Sequence, residues 1–92
     1  MGLQWADSAL RHGLDREDIL CAVAYAVLHH PGHQIGRSPD HVAVDLFVGP
    51  TRTGVLIEVL IERRGPRNVV IFHALPIDER RLRRMTEAGR QR

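Results

Sequence analysis

Three strand-like segments follow one another in residues 41–75, HVAVDLFVGPTRTGVLIEVLIERRGPRNVVIFHAL. Residues 41–48, 55–62 and 68–75 are rich in β-branched side chains, and the turn sequences between them contain glycine and proline. Because short turns join consecutive strands, these segments predict antiparallel hairpins. The stretch therefore places a mostly antiparallel sheet at the centre of the fold.

Helical patterns lie on either side of this stretch in the sequence. Asp15 is a good N-cap for a helix whose apolar residues recur at three- and four-residue spacing, and this helix is expected to reach His29 and His30. A second helix is predicted over residues 79–88, with Asp78 as its cap. Residues 31–40 are expected to form a loop, with a short strand around 34–37 left open.

The residues before the first helix give weaker signals. Leu3 and Trp5 alternate as they would in an edge strand. Asp7 or Ser8 is expected to cap a short helical turn, and Gly13 is a suitable residue to end it.

Length and composition indicate a single domain over residues 1–92. The fold class expected is α+β, with helices packed on a three- to four-stranded, mostly antiparallel sheet and a basic C-terminal helix. The hydrophobic fraction of 43% is ordinary for a folded domain and argues against disorder. A lone cysteine and the lack of a bilayer-length apolar segment favour a cytoplasmic protein with no membrane partner.

Basic charge is concentrated at the C-terminal end. Every basic residue of the chain is arginine, and the simplest reason is a GC-rich genome. Residues 76–92 contain six arginines against three acids, whereas the rest of the chain is nearly neutral. Such a local positive field attracts anionic partners.

Polar residues inside the predicted strands are the first candidates for chemistry. Glu58 and His73 each interrupt an apolar run, and on neighbouring strands they could share one face and exchange protons near neutral pH. A structural carboxylate–imidazole pair is an equally good interpretation. Asp45 and Glu62 are expected to belong to a solvated face of the sheet.

The arginines of the C-terminal helix are the second candidates. Arg80 lies one turn from Arg83 and Arg84, and Arg81 lies one turn from Arg84, so the four form a stripe suited to phosphate groups. Arg83 and Arg84, together with Arg52 in the first hairpin turn, are predicted to bind RNA. The same stripe fits an acidic protein partner, or it is a solvated basic helix end.

Histidines are the third candidates for a site. They cluster around one predicted loop: His29, His30, His33 and His41. No cysteine or carboxylate completes a ligand pattern, so neither a metal nor another cofactor is expected. The sequence has no phosphate-binding glycine loop and no nucleophile elbow.

Three motifs together resemble a known family. Residues 12–19, HGLDREDI, resemble the "HGV-S-x-E-x" opening of BrnT-type toxins of type II toxin–antitoxin systems and of related small actinobacterial proteins. Residues 48–59, VGPTRTGVLIEV, resemble their "GP-x-x-x-G-x-x-LEV" hairpin, and residues 70–76, VIFHALP, resemble a "(V/I)IHA" strand before a basic helix. The resemblance covers nearly the whole chain in the same order.

The resemblance implies a RelE-like fold and a toxin that acts as a metal-independent endoribonuclease on mRNA. It also implies a cognate antitoxin protein as partner, besides RNA. Carried over to this chain, the catalytic residues would be Glu58 or His73 for proton transfer, with Arg80 and Arg81 on the phosphate.

The chain departs from the family pattern at two places. Where BrnT members carry "ISAR", His73 takes the place of the serine and Leu75 that of the arginine. Met85 stands where many members have a tyrosine in the last helix. Arg80 or Arg81 would then have to supply the missing arginine.

Two other functions compete with the ribonuclease hypothesis. The first is a non-catalytic protein-binding module of the same fold that uses its arginine-rich helix. The second is a domain that binds a metal or a small molecule through the histidine loop. A homo-oligomer is compatible with each of them.

Overall fold

Five strands and two α-helices make up the part of the chain that the structure describes. A computed structural model describes the backbone of residues 2–35 and 43–90 and the side chains of residues 2–31 and 43–87. The elements are, in chain order, β1 (Gly2–Trp5), a 3-10 turn (Asp7–Ala9), α1 (Arg16–Ala24), β2 (Leu28–Ile35), β3 (Ala43–Pro50), β4 (Leu56–Arg64), β5 (Asn68–Pro76) and α2 (Glu79–Arg90).

All five strands belong to one mixed sheet with the order β1-β5-β4-β3-β2. The pairs β2–β3, β3–β4 and β4–β5 are antiparallel, and β1 lies parallel to β5. The predicted α+β class is confirmed, but the predicted three to four strands are too few. The sheet is mixed because β1, at its far edge, pairs parallel with β5.

The two predicted hairpins are confirmed. Both turns contain a glycine in the left-handed region, Gly54 with φ +90° and Gly65 with φ +76°, where other residues are strained. Thr51 closes the first turn, since its hydroxyl accepts a hydrogen bond from the Val55 N–H at 3.1 Å. These turns fix the register of the three central strands.

The prediction that the first helix reaches His29 and His30 is wrong. The helix α1 ends at Ala24, and the two histidines lie in β2, an edge strand paired with β3. Pro31 does not prevent the strand, because it falls where the register shifts between His30 and Gln34 and because edge strands and irregular positions tolerate proline. The strand was not recognised from the sequence because it contains a proline and a glycine, residues that usually end helices.

The main core lies between α1 and one face of the sheet. Asp15 caps α1 as predicted, with its carboxylate accepting from the Asp18 N–H at 2.8 Å. The helix crosses the sheet at Gly49, where an added Cβ would stand 2.0 Å from the Ala22 carbonyl oxygen. The buried residues of this core are Ala9, Ile19, Ala22, Ile57, Val59, Ile61, Ile71 and Ala74.

The opposite face of the sheet is also buried over β3 and β4. Val44, Leu46 and Val48 are at most 1% exposed, and Val48 pairs directly with Glu58. This face is therefore not the solvated surface that the sequence suggested. Helix α2 follows β5 and contacts this face through Arg81, whose side chain reaches Glu58.

Candidate site around Glu58

Glu58 is a buried carboxylate in the middle of the sheet. Its neighbours Ile57 and Val59 point into the core under α1, so strand alternation directs Glu58 to the opposite face. The residue is only 2% exposed. Because an unpaired buried carboxylate is costly, this position requires cationic or hydrogen-bonding partners.

His73 reaches the same face because β5 contains an irregularity. Ile61 pairs with Ile71, but the preceding residue Leu60 pairs with His73, so Phe72 is an extra residue in β5. Such a bulge changes which face the following side chains occupy. It places His73 beside Glu58, with His73 Nε2 and Glu58 Oε1 3.9 Å apart.

The third member of the site comes from the first turn of α2. Asp78 caps this helix as predicted, because its carboxylate accepts from the Arg81 N–H at 2.7 Å. The Arg81 side chain then extends to the sheet, and its Nη2 donates to Glu58 Oε2 at 2.9 Å. One buried carboxylate is thus flanked by a guanidinium and an imidazole on its two oxygens.

The three side chains differ in exposure, and this difference separates their roles. Glu58 is enclosed, whereas the side chain of His73 is 30% exposed and that of Arg81 is 49% exposed. The imidazole and the guanidinium are therefore accessible at the surface, whereas the carboxylate lies beneath them. Glu58 accepts the hydrogen bond of Arg81 and is its counterion.

Arg80, Arg83 and Arg84 are exposed on α2. No ion pair among the described residues involves them. Arg81 is the arginine of the stripe that reaches Glu58, so the structure brings together three of the four predicted catalytic residues and leaves Arg80 at the nearby surface. The stripe remains available to an anionic partner.

Arg52 is held within the protein by three acids at the start of α1. Its guanidinium contacts Asp15 at 2.7 Å, Glu17 at 2.6 Å and Asp18 at 2.9 Å. The hydrogen bond from Arg52 lowers the pKa of the Asp18 carboxyl, and the same partners raise the pKa of Arg52. This arrangement fastens the first hairpin turn to α1 and occupies the side chain predicted to bind RNA.

The expectation that Asp45 and Glu62 are solvated is wrong. They are 9% and 6% exposed, respectively. Asp45 lies 3.2 Å from Arg63, and Glu62 accepts a hydrogen bond from Arg64 at 2.8 Å. Burial is tolerated because each acid has an arginine partner, and these arginines are the last two residues of β4.

The predicted histidine loop falls partly outside the described residues, since nothing is described of the His33 and His41 side chains. His29 stacks on Phe47, with ring centroids 4.2 Å apart, and its Nε2 lies 3.8 Å from Asp45. Within the described ranges, no group of three or more potential ligands is arranged to hold a metal ion.

His12 lies near the site, although it was not among the predicted catalytic or RNA-binding residues. From its place before Gly13, His12 was expected either to contact the sheet or to cap a turn. Its ring lies edge-to-face with that of His73, with centroids 6.4 Å apart. No local spacing links His12 to β5. Contacts of this kind depend on the tertiary fold.

The chain matches no family model, no curated protein and no solved structure. Neither helix, within the residues described, is long and apolar enough to cross a membrane. Evidence about function therefore comes from the geometry around Glu58 and from the sequence motifs.

Proposed function

We propose that this protein is a metal-independent endoribonuclease that acts on mRNA as the toxin of a toxin–antitoxin pair. The observation that carries the proposal is the placement of His73 and Arg81 on the two oxygens of buried Glu58, next to an exposed arginine stripe. A proton-transfer group and a cation beside one another are what cleavage of a phosphodiester requires.

In the proposed reaction, the ribose 2′-hydroxyl loses its proton and its oxygen attacks the adjacent phosphorus. A 2′,3′-cyclic phosphate forms as the bond to the 5′-oxygen breaks, and that oxygen leaves as a hydroxyl. His73 transfers protons, because it is the exposed member of the pair with Glu58. Arg81, with Arg80 next to it, neutralises the charge that develops on the phosphate oxygens.

Binding of the RNA strand is assigned to the rest of the stripe. Arg83 and Arg84 are exposed and lie within one turn of Arg80, so they suit successive phosphates of a single strand. Arg52 is left out of this set, because its guanidinium already contacts three carboxylates.

The identity as a toxin follows from the resemblance to BrnT-type proteins. A RelE-like fold, a cytoplasmic location and a cognate antitoxin belong to the same proposal. The antitoxin would cover the arginine stripe of α2, because blocking this surface prevents RNA from reaching His73.

The test is incubation of the purified protein with a long single-stranded RNA in the presence of EDTA. Wild type is expected to give discrete fragments ending in a 2′,3′-cyclic phosphate. His73→Ala should lose at least about 100-fold in rate, which is the usual lower bound for removing a proton-transfer group. The double variant Arg80→Ala/Arg81→Ala should also lose about 100-fold or more, because it removes the cations that stabilise the charge on the phosphate. Arg67→Ala, an exposed arginine in the β4–β5 turn, is the matched control and should cleave normally.

The competing function is a non-catalytic module that grips an acidic protein through α2. It is favoured by the fact that Glu58 and Arg81 already satisfy each other as a structural ion pair. Intact RNA with folded wild type would reject the ribonuclease. Binding of an acidic protein that Arg83→Ala/Arg84→Ala abolishes would then establish the module.

A further inference from the structure

His12 lies beside His73 although the two residues are distant in the sequence. The rings meet edge-to-face at 72°, with centroids 6.4 Å apart. His12 is exposed in the loop that follows the 3-10 turn. That turn is fastened to β5, because the Ser8 hydroxyl donates to the carbonyl of Phe72 at the bulge. One hydrogen bond therefore joins the segment before His12 to the residue that precedes His73.

We propose that His12 is the second proton-transfer residue of the reaction, an inference that rests on the proposed ribonuclease function. Cleavage requires one group to remove the 2′-hydroxyl proton and another to protonate the departing 5′-oxygen. The two oxygens lie on opposite sides of the phosphorus in an in-line displacement. Two imidazoles whose centroids are 6.4 Å apart are close enough together to serve the two oxygens of one phosphate.

The partners of the two histidines assign their roles. His73 Nε2 faces Glu58, so a protonated His73 has a counterion and is the general acid that donates to the 5′-oxygen. His12 lies in an exposed loop and is the general base that accepts the 2′-hydroxyl proton. After cleavage His12 carries the proton and His73 has lost one, and exchange with water restores both.

Separate acid and base predict a bell-shaped dependence of kcat/KM on pH, because the rate requires neutral His12 and protonated His73. Cleavage of single-stranded RNA should be measured with EDTA from about pH 5 to 9, which includes the window of about pH 5 to 8 in which histidine ordinarily changes charge. His12→Ala should lower the maximal rate by about 100-fold or more and remove the acidic limb of the profile. His73→Ala should instead remove the alkaline limb.

Two further variants separate proton transfer from a structural role. His12→Gln retains a polar side chain that cannot transfer protons, so it should be as slow as His12→Ala. Imidazole added to the buffer should restore part of the rate of His12→Gly. His29→Ala, which removes an exposed histidine stacked on Phe47, is the matched control and should keep the wild-type profile.

Different outcomes would overturn the role of His12 and the ribonuclease function on which it rests. Active wild type together with a His12→Ala variant of unchanged rate and pH profile would overturn the role of His12 and leave the ribonuclease intact. A slow His12→Ala variant with both limbs retained and no rescue by imidazole would also overturn it. Absence of cleavage by folded wild type across the pH range would overturn both proposals.

Discussion

Removing Arg81 should destabilise the protein more than removing the charge of Glu58. The two side chains form one hydrogen bond of 2.9 Å, but Glu58 is 2% exposed and Arg81 is 49% exposed. In Arg81→Met the carboxylate stays buried, and its other neighbour, the His73 imidazole, lies at 3.9 Å, beyond hydrogen-bond distance. In Glu58→Gln the guanidinium turns to water and the amide retains the shape of the acid.

The difference in exposure between Glu58 and Arg81 sets the difference in unfolding free energy between the two variants. Breaking a fully buried pair by removing one partner costs about 3–5 kcal/mol, and the partial exposure of Arg81 reduces the expected cost of Arg81→Met to about 2–3 kcal/mol. Glu58→Gln loses one charge-assisted hydrogen bond to a solvated donor, which costs about 1 kcal/mol. For a domain of this size, Arg81→Met should lower Tm by about 10–20 °C.

Urea unfolding followed by circular dichroism measures both costs, with an unchanged m-value as the check for two-state behaviour. The double variant Arg81→Met/Glu58→Gln should cost about 1–1.5 kcal/mol less than the sum of the single variants, since the double variant leaves no unpaired buried carboxylate behind. Equal effects of the two single variants, or a cost below about 0.5 kcal/mol for Arg81→Met, would refute the reasoning and classify the contact as a surface ion pair.

Three other predictions concern the scaffold around the site. Gly49→Ala should cost about 3 kcal/mol or more in urea unfolding, because the new Cβ would meet the Ala22 carbonyl oxygen at 2.0 Å and backbone on both sides would have to move. Ser8→Ala should lower the free energy of unfolding by about 1–2 kcal/mol and slow RNA cleavage, since it removes the donor to the Phe72 carbonyl at the bulge. Unchanged cleavage would show that this hydrogen bond is not needed to hold the bulge in place. The pKa of Asp18 is lower in the folded protein than its ordinary value of 3.8, so its carboxylate contributes stability above that pH. This stability is lost as the pH falls through the folded-state pKa. Arg52→Met should therefore flatten the acid side of the profile of unfolding free energy measured between about pH 5 and 2.

Local signals were sufficient to predict the centre of the fold. The hairpins required only β-branched runs and turns with glycine, and Asp15 and Asp78 cap their helices as their positions indicated. These features depend on residues a few positions apart, so one sequence contains the necessary information. Glu58 could be predicted as a site residue for the same reason, because a carboxylate within an apolar run is a local feature of the sequence.

Features that depend on distant parts of the chain were missed or misassigned. The start of β2 was predicted to be helix and the rest of it mostly loop, because its stabilising partner is β3, whereas its own sequence contains Pro31 and glycine. Arg52 was assigned to RNA, although the acids that bind it lie at the start of α1. From the sequence alone, an arginine whose guanidinium is bound by carboxylates of the same chain looks the same as one that is free to bind a phosphate.

The bulge at Phe72 shows why the face of His73 required the structure. In a regular strand, Ile71 and His73 would share a face, and the imidazole would enter the core under α1. Ile71 and Ala74 are instead both buried in that core, a spacing of three that a regular strand cannot produce. With Phe72 as the extra residue, Ile71 and Ala74 both point into the core, and His73 lies on the face of Glu58. Because six of the seven residues of VVIFHAL are apolar, the sequence does not show which of them are in the core, and the bulge is recognised only from the burial of Ile71 and Ala74.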